Sequence, residues 1–444
     1  MKTSRRSFLK QVSALSAVPL LLPSSVWGAE TKPNDRLVMG FIGMGKQSRG
    51  LLRGFLYSKG CQVVAVCDVD TTRREDALHQ VKEFYKDHPD RGAADCKAYN
   101  DFRELIARDD INAVCIATPD HWHAIPTIAA LESGKDVYCE KPLTHNIHEA
   151  IAVMDAVEKN KRVLQTGSMQ RSMKEFRIAC ELVRNGVIGK IDRVECSFGP
   201  PGVPCDLPEE EMEPGLDWNM WVGPGPMRPY SSVLSPRGMH DHFPDWRKYK
   251  EYGGGMVCDW GAHHLDIAQW GLGMDDSGPK EVHPPEDPNA TSGAVLRYGN
   301  GVTVKHGSGF GVEFFGEDGQ VNVNRGRFEF YLDGKKVAGF VKREDGGSLQ
   351  SALVRVEKEF LKDAKIKLYE SRNHLDDFEK CVRERTKPVT SEIVGGRSAI
   401  CCHLMNQAYY HHEVIKWKPK KMEFARNSGD PAWLTRDYRA PWKV

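Results

Sequence analysis

The amino-acid sequence predicts an α/β protein of two domains: an N-terminal doubly wound parallel sheet, then a C-terminal α/β domain with a mixed, largely antiparallel sheet. Three observations predict it. The apolar, β-rich run Leu37–Ile42 passes directly into Gly43-Met44-Gly45 and then into a helix-like segment from Leu51. Further apolar runs at 62–67, 111–117 and 136–139 recur with helix-length spacers between them, as in a parallel sheet. From Val194 onward the pattern changes to short β-like runs separated by turns. Residues 294–298, Asn300-Gly301 and residues 302–305 form a hairpin signal, and Gly316-Glu-Asp-Gly319 supplies another turn before residues 321–323. Helical segments near 145–160, 172–185 and 262–271 flank these runs.

Bulk composition agrees with two ordinary domains. The 444 residues are 40% hydrophobic and 28% charged, enough to build sizeable cores. With 62 basic and 61 acidic residues the net charge is +1, so nothing draws the chain toward nucleic acid or acidic membranes, and a neutral small molecule is the expected partner. The twelve cysteines include no C-x-x-C pair and read as buried thiols, which suits folding in a reducing cytoplasm.

Residues 4–10 read S-R-R-S-F-L-K and precede a modestly apolar stretch at 12–22 and small residues near Gly28. This is a twin-arginine signal, expected to span residues 1–28, to direct the folded protein to the periplasm and to leave 444 − 28 = 416 residues. A membrane span needs about 20 apolar residues. The stretch is shorter and rich in Ser and Ala, so no stable span is expected after cleavage; an uncleaved anchor is the alternative. The nucleotide domain is expected over 35–160 and the substrate domain over 161–444.

Strand, glycine loop and helix stand in the order of a Rossmann dinucleotide-binding site. Gly43 allows the tight turn, Met44 lies within it, and Gly45 lets the backbone approach a pyrophosphate at the helix N-terminus. Ser48 replaces the third glycine of the fingerprint. Asp68 ends the second strand, where a carboxylate would bind the ribose hydroxyls; this favours NAD, while Arg73 and Arg74 keep NADP open. Thr118, Pro119 and His123 follow the 111–117 run, and Glu140 and Lys141 follow the next, all on the cofactor edge of the sheet. His123 reads equally well as a helix cap.

Glu140-Lys141-Pro142 resembles the signature of the Gfo/Idh/MocA oxidoreductases, which follows the fifth Rossmann strand. Residues 253–266, G-G-G-M-V-C-D-W-G-A-H-H-L-D, are similar to that family's G-G-G-x-x-x-D-x-G-x-H-x-x-D segment, with Asp259, His263 and Asp266 in register. The resemblance runs from about residue 36 to the end of the chain. It implies an NAD(P)-dependent oxidoreductase acting on a secondary hydroxyl of a sugar, glycoside or polyol, in a homo-oligomer. Outside the cytoplasm free NAD is scarce, so a non-dissociating cofactor is expected.

Alcohol oxidation requires a group that takes the hydroxyl proton while hydride leaves the same carbon. His263 suits that role by its ordinary pKa. Asp259, four residues earlier, would share a helix face with it and orient the ring. Lys141 would stabilise developing alkoxide charge, and the family resemblance gives the lysine and histidine these same roles. The Pro-, Gly- and aromatic-rich stretch at 206–252 is expected to overhang the site, with Trp218, Trp221, Arg228 and Trp246, together with His264, as candidate substrate contacts. Its aromatics would equally serve to fix an irregular loop. His240-Asp-His242 and His411-His412 lack zinc spacing, so no metal is expected. Two other functions stay open: an NAD-dependent glycoside hydrolase working by transient oxidation and elimination, and a non-catalytic sugar-binding protein.

Overall fold

The computed structural model describes residues 35–91 and 95–444; the expected signal at 1–28 lies outside them. Six strands, β1 (Leu37–Ile42), β2 (Cys61–Cys67), β3 (Lys97–Tyr99), β4 (Ala113–Ile116), β5 (Asp136–Cys139) and β6 (Leu164–Thr166), form a parallel sheet in the order β3-β2-β1-β4-β5-β6. Every residue of β4 and β5 is buried, because helices cover both faces, and this explains their continuous apolar runs. One face packs on helices Lys46–Tyr57 and Thr71–Asp87 through Phe55 and Val81; the other packs on helices Ala124–Glu132 and Ile147–Asn160 through Leu131 and Val153. β6 carries the sheet past residue 160, the boundary expected from sequence. Helix His374–Glu384 returns from far along the chain to complete the first face, with Phe378 against Phe55 and Tyr138 at ring separations of 6.1 and 5.9 Å.

The second sheet has ten strands: β7 (Ile191–Ser197), β8 (Glu281–His283), β9 (Val295–Arg297), β10 (Thr303–Gly307), β11 (Val312–Gly316), β12 (Gly319–Asn324), β13 (Arg327–Leu332), β14 (Lys335–Phe340), β15 (Ile415–Lys418) and β16 (Glu423–Phe424). Its order is β14-β13-β12-β11-β7-β10-β9-β8-β15-β16, antiparallel throughout except where β10 runs parallel to β7. The Asn300-Gly301 turn joins β9 to β10, where Thr303 faces Arg297. Helices Lys174–Arg184, Gly261–Leu272 and Glu392–His411 cover one face, into which Val304, Phe314, Phe328 and Phe330 point. Lys305 and Glu313 alternate with these residues toward the opposite, less buried face.

All twelve cysteines are free thiols, and all except Cys205 are buried. No helix among the described residues is long and apolar enough to cross a membrane. The 206–252 stretch forms a small core of its own around Trp218, Trp221, Tyr230, Trp246 and Tyr252. A C-terminal strap crosses back to the nucleotide sheet. Arg436 donates to the His121 carbonyl at 2.6 Å and to the buried Glu149 carboxylate at 2.8 Å, and Trp442 packs edge-on against Trp122 at 4.7 Å.

Candidate active site

Strand order reverses beside β1 and β4, and the crevice past their carboxyl ends is where such sheets bind ligands. A cavity of about 460 Å³ occupies it, lined from both domains. Gly43 holds φ at +85°, and a Cβ there would lie 2.8 Å from the Thr118 backbone nitrogen, so the β1 turn presses against the β4 turn. Gly45 caps helix Lys46–Tyr57, lines the cavity and would place a Cβ with nothing within 4 Å. No acidic residue in that helix's first turn competes for its positive end. Ser48 is fully buried, its hydroxyl 3.6 Å from Met44 Sδ, so a small side chain fills the third glycine's place.

Asp68 lines the same cavity and accepts N–H bonds from Met44 at 2.6 Å and Asp70 at 2.8 Å. Met44 itself turns inward and contributes its N–H to Asp68, with its side chain away from the cavity. Burial raises the Asp68 pKa, against Arg73 and these N–H bonds. The two nearby arginines are already engaged: Arg73 donates to Ser235 and the Pro236 carbonyl, Arg74 to the Asp68 carbonyl at 2.7 Å and to Asn100 at 3.0 Å. Among the described residues, Thr118 Oγ1 is buried without a partner at the cavity wall. Open space over Gly45, an acceptor at Asp68 and an orphan hydroxyl at Thr118 fit a bound dinucleotide.

At the other end, Glu140 accepts from Gln47 at 3.0 Å and from the Lys141 N–H at 3.2 Å. The Lys141–Pro142 peptide is cis. Beside it, His123 places Nδ1 2.6 Å from the Pro142 carbonyl and Nε2 3.0 Å from the Thr118 carbonyl, bracing the β4 and β5 turns against each other. Burial holds its pKa down to about 4, so the neutral ring has one N–H to donate across this bridge. Its nitrogens face protein and not the cavity centre, and Pro119 lines the wall beside it.

Lys141 Nζ donates to the Asp259 carboxylate and, at 3.3 Å, to the Asp259 carbonyl. Arg247 Nε lies 3.8 Å from the same carboxylate. Burial pushes the Asp259 pKa up, but Lys141 and Arg247 more than offset this and hold the group ionised below its usual range. The helix breaks after Asp259: one short helix covers Gly255–Asp259 and the next covers Gly261–Leu272. The expected Asp259–His263 bond is therefore replaced by an Asp259–Lys141 pair. His263 makes no side-chain hydrogen bond among the described residues, and its Nδ1 is buried without a partner. Burial, then Lys141 and Arg325, push its pKa well below 6.5 and keep the ring neutral.

Of the expected substrate contacts, Trp221 and Trp246 line the cavity. Trp218, Arg228 and His264 do not. Trp218 stacks on Trp221 at 4.7 Å and donates to the Arg228 carbonyl at 2.7 Å, while the Arg228 guanidinium turns to the Cys205 carbonyl at 3.0 Å. His264 Nδ1 meets the Ser197 carbonyl at 2.6 Å, since the next position on a helix points about 100° away from its neighbour. His240 lines the cavity with its Nδ1 at the His242 carbonyl, and His411 stacks on Trp433.

Asp120, Trp260 and Arg325 are among the lining residues to which the sequence assigns no role. Trp260 stands inside the glycine-rich segment and could have been found there. Asp120 is buried, which raises its pKa well above the usual carboxylate range against the pull of Lys141 and Arg247. Arg325 comes from the β12–β13 turn, for which no sequence pattern indicates proximity to the nucleotide sheet.

Residues 37–168 match the model of an oxidoreductase family's NAD-binding Rossmann fold, and residues 203–444 match that family's C-terminal α/β domain. The chain belongs to the Gfo/Idh/MocA oxidoreductase family. Its first domain is thus an NAD-binding Rossmann domain of that family. Among relatives, a glycosyl hydrolase family 109 protein of Shewanella pealeana is 29% identical over 215 residues, 45% of this chain and 46% of that protein. The match thus spans about half the length of that relative. Two solved structures share the fold: the WlbA dehydrogenase of Bordetella pertussis in complex with NADH and UDP-GlcNAcA (TM-score 0.59, 16% identity, 87% of this chain and 99% of that one), and the aldose-aldose oxidoreductase of Caulobacter crescentus complexed with glycerol (TM-score 0.55, 18% identity, 86% and 99%).

Proposed function

We propose that this Gfo/Idh/MocA protein oxidises a secondary hydroxyl of a sugar, glycoside or polyol to the ketone, or reduces that ketone, with a tightly held nicotinamide dinucleotide. The observation that carries this reading is the convergence of Lys141 and the unbonded His263 ring on the cavity that Gly45 and Asp68 enter from the nucleotide side. Gly43, Gly45, Asp68 and Thr118 would hold the dinucleotide, whose nicotinamide supplies the hydride-exchanging carbon when bound. His263, kept neutral, takes the hydroxyl proton. Lys141 donates to the reacting oxygen, and ionised Asp259 fixes the ammonium. Asp68, with Arg73 and Arg74 engaged elsewhere, favours NAD over NADP.

In this reading the chain is exported by the twin-arginine route to the periplasm with its nucleotide loaded, and its half-exposed ten-stranded sheet pairs subunits. Mass spectrometry of nucleotide released from protein purified from periplasm, combined with a sugar and glycoside screen, tests both cofactor and reaction. Protein that emerges empty and turns over only with added NAD would refute retention. The family 109 relative favours a second reading, hydrolysis through transient oxidation, elimination, water addition and reduction. Free aglycone without keto sugar would decide for it.

A further inference from the structure

We propose that Arg325 is a specificity residue that binds a carboxylate on the substrate, so that the preferred sugar or glycoside is acidic. This rests on the sugar-oxidoreductase reading above and revises the neutral ligand expected from net charge.

The turn that carries Arg325 is fixed in place. Asn324 Oδ1 accepts the Arg325 N–H at 2.8 Å, Asn324 Nδ2 donates to the Phe310 carbonyl at 2.6 Å, and the Gly326 N–H donates to Glu175 at 3.0 Å. From this anchor the side chain reaches the cavity wall, with its guanidinium carbon 4.8 Å from the centre of the Trp260 ring. The Gln170 amide, oriented to satisfy both neighbours, bridges the His263 carbonyl and Arg325 Nε at 3.2 Å each. Arg325 is thereby tied to the backbone of the helix that bears His263.

What the guanidinium lacks is an anion. Among the described residues no carboxylate lies within 4.0 Å of it. Asp259 and Glu140 act on it at longer range, and both are committed elsewhere, to Lys141 and to Gln47. The other arginines at the cavity have their charge met: Arg73 by Asp70, with the Ser235 hydroxyl and the Pro236 carbonyl accepting from it, and Arg247 by Asp259 and the rings of Trp246 and Phe243. A half-buried cation held over an aromatic face with its terminal N–H groups uncommitted is costly without a counter-charge. Its planar fork matches a carboxylate in two parallel bonds. Trp260 would meanwhile present its remaining surface to the sugar's C–H face.

The test uses matched triplets of methyl glycosides in gluco, galacto and manno series, each as the uronic acid, its uncharged amide and the parent sugar. A 4-carboxyphenyl glycoside of each parent separates a carboxylate on the ring from one on the aglycone. Both kcat/KM and calorimetric Kd are measured on the nucleotide-loaded full chain, for the native protein, R325Q and R325K. The native protein should favour an acid over its amide by about tenfold to a hundredfold, and R325Q should collapse that ratio, with R325K intermediate because it keeps charge and loses the fork. A ratio near one in the native protein, or one that R325Q leaves unchanged, overturns the proposal. Turnover without discrimination refutes the carboxylate site and keeps the oxidoreductase. Discrimination in binding without turnover does the reverse.

Discussion

Lys141, Asp259 and His263 set the chemistry, and the lysine and the histidine each lead to a measurement. Lys141 is bound to Asp259, so Lys141→Met removes the donor to the reacting oxygen and leaves a partly buried carboxylate with Arg247 as its nearest remaining cation and Arg325 at longer range. A loss of about 100-fold to 1000-fold in kcat/KM is expected, with nucleotide still present after gel filtration. His263 must be neutral to accept a proton, and its folded pKa is driven below 6.5 by burial, Lys141 and Arg325. The active form therefore persists as pH falls through 6.5, and the acid limb of the kcat/KM profile should lie well below that value; a limb centred near 6.5 would remove His263 from the role. The same shift has a stability consequence of definite sign. The unfolded histidine binds a proton below about pH 6.5 and the folded one does not, so its burial stabilises less as pH falls. Lys141 and His263 were legible in the sequence as residue types in a recognisable pattern. Their mutual arrangement was not, because the helix break at Trp260 gave Asp259 to the lysine and not to the histidine.

Turns and short helices hold these groups in place, and glycines make the close approaches possible. Gly255 adopts φ of +67°, and a Cβ there would sit 2.3 Å from the Gly202 nitrogen, so the helix that ends in Asp259 starts hard against the 201–202 backbone. Gly255→Ala should displace that helix and lower both stability, by about 1 to 3 kcal/mol in denaturant titrations, and activity. Gly43→Ala meets the Thr118 backbone and should release nucleotide on gel filtration, with a similar stability loss. The strand, glycine loop and helix could be read from sequence because local order alone encodes them, as did the Asn300-Gly301 hairpin. The 206–252 stretch resisted because its aromatics serve two masters with one composition: Trp221 and Trp246 face the cavity, whereas Trp218 packs behind Trp221. Arg325 escaped for a different reason, since only the register of β12 with β13 brings its turn to the site.

Across the described residues, segments more than 200 positions apart in sequence are in contact. Phe378 completes the core between helix Lys46–Tyr57 and β5, and the 436–442 strap covers the loops after β4. Arg436 is the partner of Glu149, a fully buried carboxylate that also accepts from Tyr438 at 2.9 Å. Arg436→Met leaves that charge with neutral donors only, the Tyr438 hydroxyl and the His145 N–H, and a loss of about 3 kcal/mol is expected from equilibrium unfolding, with weaker nucleotide retention. Periodicity could not reveal this closure, because it depends on pairing across nearly the full chain. It does have a bearing on synthesis. Once β6 has left the ribosome every strand of the nucleotide sheet exists, yet the wall at His121 and Trp122 lacks its outer cover until residues 436–442 emerge. Nucleotide retention is therefore expected to require residues 436–442, and a chain truncated before Arg436, with every strand through β16 still present, should lose nucleotide on gel filtration.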